Sequence, residues 1–305
     1  MSISFCGLEL EHPVINASGT FDAIAARRVF GERLLELFPF AAFVTKTVTL
    51  APRAGNPPPR LWELAGGLLN SIGLPNKGLS GFLQSDLPAL AALPVPLIVN
   101  VMGFSADELS ELVAAVGEHE AVAALELNVS CPNVKTGLEF GADPEALAGL
   151  LARVRPLTEK PLIVKLTPNA SDVGAVARAA QDGGADAVSL INTIRGMALA
   201  PRSARPWLGG VTGGVSGPAV RAVALAQVQA VAHAVSIPVV GMGGVQSARD
   251  ALDLLAAGAA LVAVGSESFR DPAVGRRIAD QIAAPRRSAT ASPQSASFSS
   301  AALPR

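Results

Sequence analysis

Cysteine is scarce in this chain of 305 residues, which contains only Cys6 and Cys131. Two cysteines are too few for a disulfide framework or a cysteine-rich metal cluster, so neither is predicted. Charged residues are also few, at 16% of the sequence, against 50% hydrophobic residues. A sizeable core is therefore expected, in a length that one large α/β domain can fill.

Neither sign of charge dominates, since 24 basic and 25 acidic residues give a net charge of −1. This balance gives no electrostatic reason to expect a nucleic acid or an anionic membrane as a partner. No apolar run approaches the length of a membrane span. The N-terminal residues MSISFCGLELEHP also lack the basic start, apolar run and cleavage site of a secretory signal. A cytoplasmic protein is therefore expected.

Eight short apolar segments rich in β-branched residues recur along the chain. They span residues 14–18, 42–48, 97–101, 124–129, 162–166, 187–192, 238–242 and 261–265. Between them lie stretches such as SADELSELVAAVGEH, with a Ser, Asp or Pro near the start and apolar residues three and four apart, which is typical of helices. Alternating buried strands and helices indicate a parallel sheet, and eight such units predict an α/β fold of the closed (β/α)8 TIM-barrel type.

Two segments depart from this repeat, at about residues 50–96 and at 197–217, and both are rich in Pro or Gly. Both follow the carboxyl ends of predicted strands, where such barrels bind ligands, so we expect lid or site loops. From residue 284 onward, fifteen of 22 residues are Ala, Ser or Pro. The sequence thus predicts one barrel domain over 1–283 and a disordered low-complexity tail over 284–305.

Polar side chains stand at the ends of the predicted strands, where a barrel interior requires partners for them. They are Ser18, Lys46, Asn100, Asn128, Lys165 and Asn192. Any single one of these residues can have a purely structural role, with its side chain hydrogen-bonded to a neighbouring loop. Six at corresponding positions instead predict a polar, electropositive pocket for an anionic ligand.

Glycines follow the last two predicted strands, in GMGG (241–244) and VGSES (264–268). Tight turns between strands and helices also need glycine. On these two strands of a barrel, however, exposed backbone amides favour a phosphate site. The candidate residues are Gly243, Gly244, Gly265 and Ser266.

The segment ELNVSCPNVKTG (126–137) places Cys131 in a polar turn just past the fourth predicted strand. We interpret Cys6 as a small buried hydrophobic residue. Cys131 is instead expected at the ligand face, where nearby lysines would favour its thiolate form. We therefore interpret Cys131 as a group that abstracts a proton beside a bound cofactor, rather than as a buried hydrophobic residue.

The sequence resembles the dihydroorotate dehydrogenases from about Ile3 to Asp280. Besides the Cys131 segment, the segments that carry this resemblance are NASGTF (16–21), TKTVT (45–49), PRAGNPPPR (52–60), LLNSIGLPNKG (68–78), VKLTPN (164–169), SLINTIRG (189–196), TGGVSGPA (212–219), GMGGV (241–245) and AVGS (263–266). Members of this family are FMN-containing barrels that oxidise dihydroorotate to orotate in pyrimidine biosynthesis.

The resemblance implies a role for each matching position. Cys131 would take the C5 proton of dihydroorotate while the C6 hydride moves to the flavin, and Lys165 would stabilise negative charge on the flavin. Substrate contacts would come from Lys46, Asn70, Ser71, Ile72, Gly73, Leu74, Asn128, Asn192 and Thr193. FMN contacts would come from Ser18, Lys46, Thr47, Asn100, Asn128, Lys165, Ile191, Gly217, Gly243, Gly244, Gly265 and Ser266. No metal is implied.

The resemblance also favours one branch of the family. A cysteine at position 131 is similar to class 1, because the membrane-associated class 2 enzymes use serine there and carry an N-terminal extension. The following residues resemble type B, whose catalytic subunit pairs with a polypeptide that holds FAD and an iron-sulfur cluster and reduces NAD. A homodimer with two such partners is implied. Family members usually continue after the eighth helix with a further helical segment, where this chain has its Ala/Ser/Pro tail.

Four alternatives stay open at the level of sequence. A tRNA dihydrouridine synthase is a related FMN barrel, but it would need a basic face and an RNA-binding domain. A dihydropyrimidine dehydrogenase-like barrel would act on a substrate without a carboxylate. A type A enzyme would pass electrons to fumarate. A flavin-binding or assembly protein that has lost its enzymatic activity would have no catalytic role for Cys131.

Overall fold

The computed structural model describes residues 2–129 and 140–284. Within these ranges the chain folds as a (β/α)8 barrel, which confirms the predicted fold class. The strands are β1 Ile3–Phe5, β2 Leu8–Leu10, β3 Val14–Asn16, β4 Phe43–Val44, β5 Leu61–Leu64, β6 Gly67–Asn70, β7 Leu97–Val101, β8 Val122–Asn128, β9 Leu162–Lys165, β10 Ala187–Leu190, β11 Ile194–Gly196, β12 Gly213–Ser216, β13 Val239–Met242 and β14 Leu261–Val264. Each of the eight predicted segments overlaps one barrel strand.

Helices lie between the barrel strands and after the last of them. They are α1 Ala23–Phe30, α2 Arg33–Glu36, α3 Gly78–Gly81, α4 Leu87–Leu90, α5 Ala106–Gly117, α6 Pro144–Val154, α7 Val173–Asp182, α8 Arg221–Ala234, α9 Ala248–Ala256 and α10 Val274–Ala283. Several begin at the predicted polar residues: Ser105, Asp143 and Asp172 each accept a hydrogen bond from a backbone N–H in the first turn. No helix in the described ranges has the length and apolar character needed to cross a membrane.

Eight strands form one parallel sheet, in the order β3-β14-β13-β10-β9-β8-β7-β4. The two ends of this sheet meet through Asn16 rather than through a regular ladder. Its Nδ2 donates to the Val44 oxygen at 2.7 Å, and its Oδ1 accepts from the Val44 nitrogen at 2.9 Å. The Ala41 nitrogen also donates to the Val14 oxygen at 3.0 Å. A side-chain amide therefore takes the place of two backbone groups and closes the barrel.

Successive side chains of each barrel strand point to opposite faces of the sheet, so the two faces contribute to two separate apolar cores. The larger core lies between the strands and the surrounding helices. The smaller core fills the barrel and includes Ile15, Ile98, Ile163 and Val240. Because successive strand residues point to opposite faces, residues at even spacing from these positions also face the barrel interior.

The hairpin β1–β2 was not predicted. Its Phe5 and Leu10 are buried in the same cluster as Leu261, the first residue of β14. The hairpin therefore covers the amino ends of the barrel strands. This leaves the opposite end, where the polar residues were predicted, for a ligand.

The two insertions differ from their prediction as loops. The four strands β11-β12-β6-β5 form an antiparallel sheet, in which β12 pairs with β6 across the two insertions. Trp62 and Trp207 pack edge to face at 5.0 Å. The strands were missed because they are three or four residues long, contain glycine, and depend on pairing between distant segments. The predicted tail over 284–305 lies, apart from Ala284, outside the described residues.

Candidate active site

Five polar side chains lie buried inside the barrel on four neighbouring strands. They are Asn100 on β7, Glu126 and Asn128 on β8, Lys165 on β9 and Ser189 on β10. Asn100 is paired in register with Glu126, and Lys165 with both Asn128 and Ser189. The five residues therefore form one polar layer towards the carboxyl ends of these strands, above the apolar filling of the barrel.

Two hydrogen-bonded groups organise this layer. Glu126 accepts from Asn100 Nδ2 at 2.5 Å and from Ser189 Oγ at 2.8 Å. Asn128 Nδ2 donates to Thr47 Oγ1 at 3.2 Å. Glu126 and Ser189 were not among the predicted site residues. The only sequence signal for Glu126 was its spacing of two residues from Asn128, which puts both on one strand face.

The predicted residues after β3 and β4 lie at the rim of the same layer. Ser18 Oγ donates to the Thr45 oxygen at 2.8 Å, and Thr47 is bonded to Asn128 as described. Lys46, between Thr45 and Thr47, has an exposed side chain. Nonetheless, loss of water around its ammonium group lowers the Lys46 pKa from its ordinary value, while nearby Asp22 acts in the opposite direction.

The predicted substrate loop 70–74 follows β6 and is fixed by hydrogen bonds to its neighbours. Asn56 reaches it twice, from Nδ2 to Ser71 Oγ at 2.9 Å and from its backbone nitrogen to the Ile72 oxygen at 3.0 Å. Arg53 Nε donates to the Gly73 oxygen at 3.4 Å, and Asn76 Nδ2 donates to the Leu74 oxygen at 2.9 Å. The segment PRAGNPPPR therefore supports this loop, which explains why the two motifs occur together.

The predicted substrate residue Thr193, which follows β10, approaches this loop at Gly214 on β12. Asn70 Nδ2 donates to the Gly214 oxygen at 3.2 Å. A side chain on Gly214 would collide with Thr193, so Thr193 packs directly against this strand. Asn192, next to it, accepts from the Thr193 nitrogen at 2.8 Å. The antiparallel sheet thus brings the loop 70–74 and the end of β10 together.

The predicted phosphate residues also converge. Gly243 and Gly244 have positive φ angles of 135° and 71°, which L side chains rarely adopt. A Cβ on Gly244 would lie 2.7 Å from the Arg221 Cβ and 3.0 Å from the Gly217 oxygen. The turn after β13 therefore packs tightly against the residues before α8.

The neighbouring turns complete this group. Ser266 Oγ donates to Ser216 Oγ at 2.7 Å, which ties the end of β14 to the residue before Gly217. Gly265 faces more open space, since a Cβ there would be 3.9 Å from its nearest neighbours, Ala17 and Thr20. Ile191 is buried, and its backbone nitrogen donates to the Met242 oxygen at 2.9 Å. All the predicted cofactor positions in the second half of the chain thus lie around one rim of the barrel.

Residues 1–285 match the family described as dihydroorotate dehydrogenase. The chain belongs to the dihydroorotate dehydrogenase family. It is 47% identical over 284 residues to the catalytic subunit of dihydroorotate dehydrogenase B (NAD(+)) of Trichlorobacter lovleyi, covering 92% of this chain and 91% of that protein. The corresponding subunit of Pelobacter propionicus is 48% identical over 280 residues, with the same shares of the two chains covered.

A solved structure is similar in fold. The crystal structure of dihydroorotate dehydrogenase from Eimeria tenella, in complex with ferulenol, has a TM-score of 0.75 and 24% sequence identity. The match covers 92% of this chain and 83% of that one. It supports the barrel architecture, whereas the family rests on the matches in sequence.

Dihydroorotate dehydrogenases are flavin-dependent oxidoreductases, and the polar layer fits a flavin in two respects. Asn100 Oδ1 is buried without a hydrogen-bond partner, so it is available to accept from a ligand N–H. Lys165 is only 5% exposed, and none of the ion pairs in the described part of the chain includes it. A buried ammonium group of this kind favours an anionic ligand close by.

The predicted catalytic residue Cys131 lies in 130–139, outside the described residues. Val129, two residues before Cys131, is buried directly after β8. Asn128, the residue before Val129, belongs to the polar layer. The assignment of Cys131 as the base therefore stays a prediction from the sequence.

Cys6 should react slowly with iodoacetamide in the folded protein. Burial, with a smaller contribution from Asp186, raises the pKa of Cys6 to about 11. At pH 8 about one Cys6 thiol in a thousand is then ionised, and only the thiolate is nucleophilic. A time course of alkylation, with the modified cysteine located by peptide mass, checks this result. The same reaction in denaturant is the control. Equal rates in the folded and unfolded chain would contradict the expected protection.

Proposed function

We propose that this chain oxidises (S)-dihydroorotate to orotate in de novo pyrimidine biosynthesis, with FMN as its cofactor and Cys131 as the base. The observation that carries the proposal is the buried polar layer at the carboxyl ends of β7 to β10. It offers an unpaired acceptor on Asn100 and a buried cation on Lys165. The identity of the substrate is inferred from the family of the chain and from relatives named dihydroorotate dehydrogenase.

The oxidation removes a proton and a hydride from adjacent carbons of the substrate. When bound, FMN supplies the acceptor for the hydride from C6. The Cys131 thiolate takes the proton from C5, and the C5–C6 bond becomes a double bond. The Lys165 ammonium group would stabilise negative charge on the reduced flavin.

Substrate binding is assigned to predicted residues at the Asn70–Gly214–Thr193 contact and in and beside the polar layer. The side chains of Asn70, Asn128, Asn192 and Thr193 supply amide and hydroxyl groups for the pyrimidine ring and its carboxylate, with the backbone of loop 71–74 and Lys46 beside them. Tying the loop to Asn56 and β12 restrains these groups before the substrate arrives. Such restraint reduces the entropy that must be lost on binding.

The phosphate end of FMN is assigned to the turns at Gly217, Gly243, Gly244, Gly265 and Ser266. The contacts among Gly217, Gly244 and Arg221, and between Ser266 and Ser216, support this assignment because they hold the three turns together. Ser18, Thr47 and Ile191 are assigned to the flavin ring and its ribityl chain.

We further propose that electrons leave through a partner subunit with FAD and an iron-sulfur cluster, which reduces NAD in the cytoplasm. Support comes from the names of the relatives, which describe the catalytic subunit of an NAD(+)-linked enzyme. A homodimer of this chain with two partner subunits is the proposed assembly.

A comparison of substrates and acceptors tests the proposal. The purified chain should convert dihydroorotate, but not dihydrouracil, to the unsaturated pyrimidine with an artificial electron acceptor. NAD should become an acceptor only after the partner subunit is added. Preference for dihydrouracil would favour a dihydropyrimidine dehydrogenase-like enzyme, and efficient use of fumarate would favour type A.

A further inference from the structure

The amide of Asn100 is held in one orientation by a carboxyl group of the neighbouring strand. Asn100 and Glu126 are paired in register on β7 and β8, and Asn100 Nδ2 donates to Glu126 Oε1 at 2.5 Å. Glu126 is itself restrained from the other side, since Ser189 Oγ donates to its Oε2 at 2.8 Å. Asn100 is fully buried and Glu126 is 3% exposed. Both oxygens of the glutamate are therefore used to fix its neighbours.

This arrangement decides which end of the Asn100 amide is left unpaired. A carboxylate only accepts hydrogen bonds, so Asn100 can bond to it only through its NH2 group. The opposite end, Oδ1, then has no partner among the described residues. A buried acceptor without a donor is unfavourable, and such groups in proteins are commonly completed by a ligand or water.

An oxidised flavin ring has one polar group that fits this requirement. Its only N–H is at N3, whereas its other polar ring atoms, N1, O2, O4 and N5, accept hydrogen bonds. An amide turned the other way would present NH2 to N3–H, so two donors would face each other. The orientation of Asn100 thus determines whether it attracts or repels this edge of the flavin.

We propose that Glu126 is a positioning residue for the cofactor: it engages the NH2 group of Asn100 and so leaves Oδ1 to accept from the flavin N3–H. The inference rests on the proposed function, because it requires that the barrel binds FMN. Glu126, held in place by Ser189, acts through Asn100 and makes no contact with the flavin itself.

The substitution Glu126→Gln tests this role while nearly preserving shape. A glutamine can donate to Asn100 Oδ1, which permits the reversed amide. The dissociation constant of FMN, measured by quenching of flavin fluorescence on the FMN-free protein, should rise about tenfold, the effect of one lost hydrogen bond. With FMN labelled with ¹⁵N at N3, the N3–H proton should move upfield and exchange faster with water than in the unaltered protein.

Two further variants make the test decisive. Asn100→Leu removes the acceptor and keeps the approximate shape, so it should weaken FMN binding at least as much and give the same change at N3–H. It also replaces Glu126→Gln as the deciding variant if that protein fails to fold. Glu145→Gln, on the exposed start of α6, is the matched control and should bind FMN as the unaltered protein does.

An FMN affinity within about twofold of the unaltered value, with an unchanged N3–H resonance, in either Glu126→Gln or Asn100→Leu would overturn the inference, since Glu126 is proposed to act through Asn100. Failure of the unaltered chain to bind FMN would instead overturn the proposed function, and this inference with it.

Discussion

Substitution of Cys131 by alanine is expected to lower turnover with dihydroorotate by about 10²–10⁴-fold, the usual contribution of a positioned base. The reason is that no other group in the proposed mechanism can take the C5 proton. FMN should stay bound, because none of the residues assigned to the cofactor is changed. Steady-state turnover together with the flavin content of the purified variant measures both parts of the prediction.

Cys6→Ala is the matched control for this experiment. Cys6 lies in the hairpin turn at the amino ends of the barrel strands, away from the polar layer. Its replacement should leave turnover within about twofold of the unaltered value, as for most substitutions away from a site. Turnover that survives in Cys131→Ala would refute the assigned base and favour a flavin-binding protein whose activity, if any, has another origin.

Asn16→Leu is expected to lower the free energy of unfolding by about 3 kcal/mol, because it leaves the backbone N–H and C=O of Val44 buried without partners. Asn16 is fully buried and makes the two hydrogen bonds that join β3 to β4. Leucine matches asparagine in approximate size, so the effect is attributable mainly to the lost bonds. Urea unfolding followed by far-UV circular dichroism measures the change.

The control for this substitution is Gln84→Ala, which removes an exposed amide with one side-chain hydrogen bond, to Ser80. Its effect should stay within about 0.5 kcal/mol. A loss of less than about 1 kcal/mol in Asn16→Leu would show that the barrel closes without the Asn16 amide.

The barrel was predictable because its evidence is local. Each strand is a short apolar run, and helices such as α5 and α6 begin at a capping residue that can be recognised from sequence. The antiparallel sheet was not predictable in this way, since β6 and β12 are separated by more than 140 residues. Gly213 and Gly214 in β12 have low strand propensity, so only their pairing with β6 makes them a strand.

The residues of the candidate site likewise divide into those that local sequence indicates and those that depend on contacts between distant segments. Asn100, Asn128 and Lys165 were found because they are polar at the ends of apolar strands. Glu126 and Ser189 were missed as site residues, since their importance comes from hydrogen bonds across β7, β8 and β10. Asn16 stood in a matching motif, yet its role in closing the barrel becomes visible only when β3 and β4 meet.

The most direct test of the proposed flavin chemistry is an anaerobic titration of the purified chain with dihydroorotate, followed through its visible absorption spectrum. We predict a flavin spectrum that bleaches with about one equivalent of dihydroorotate per bound flavin, since each two-electron oxidation reduces one flavin, and that is unaffected by dihydrouracil. A colourless protein that does not take up FMN, or a bound flavin that stays oxidised with dihydroorotate, would contradict the account.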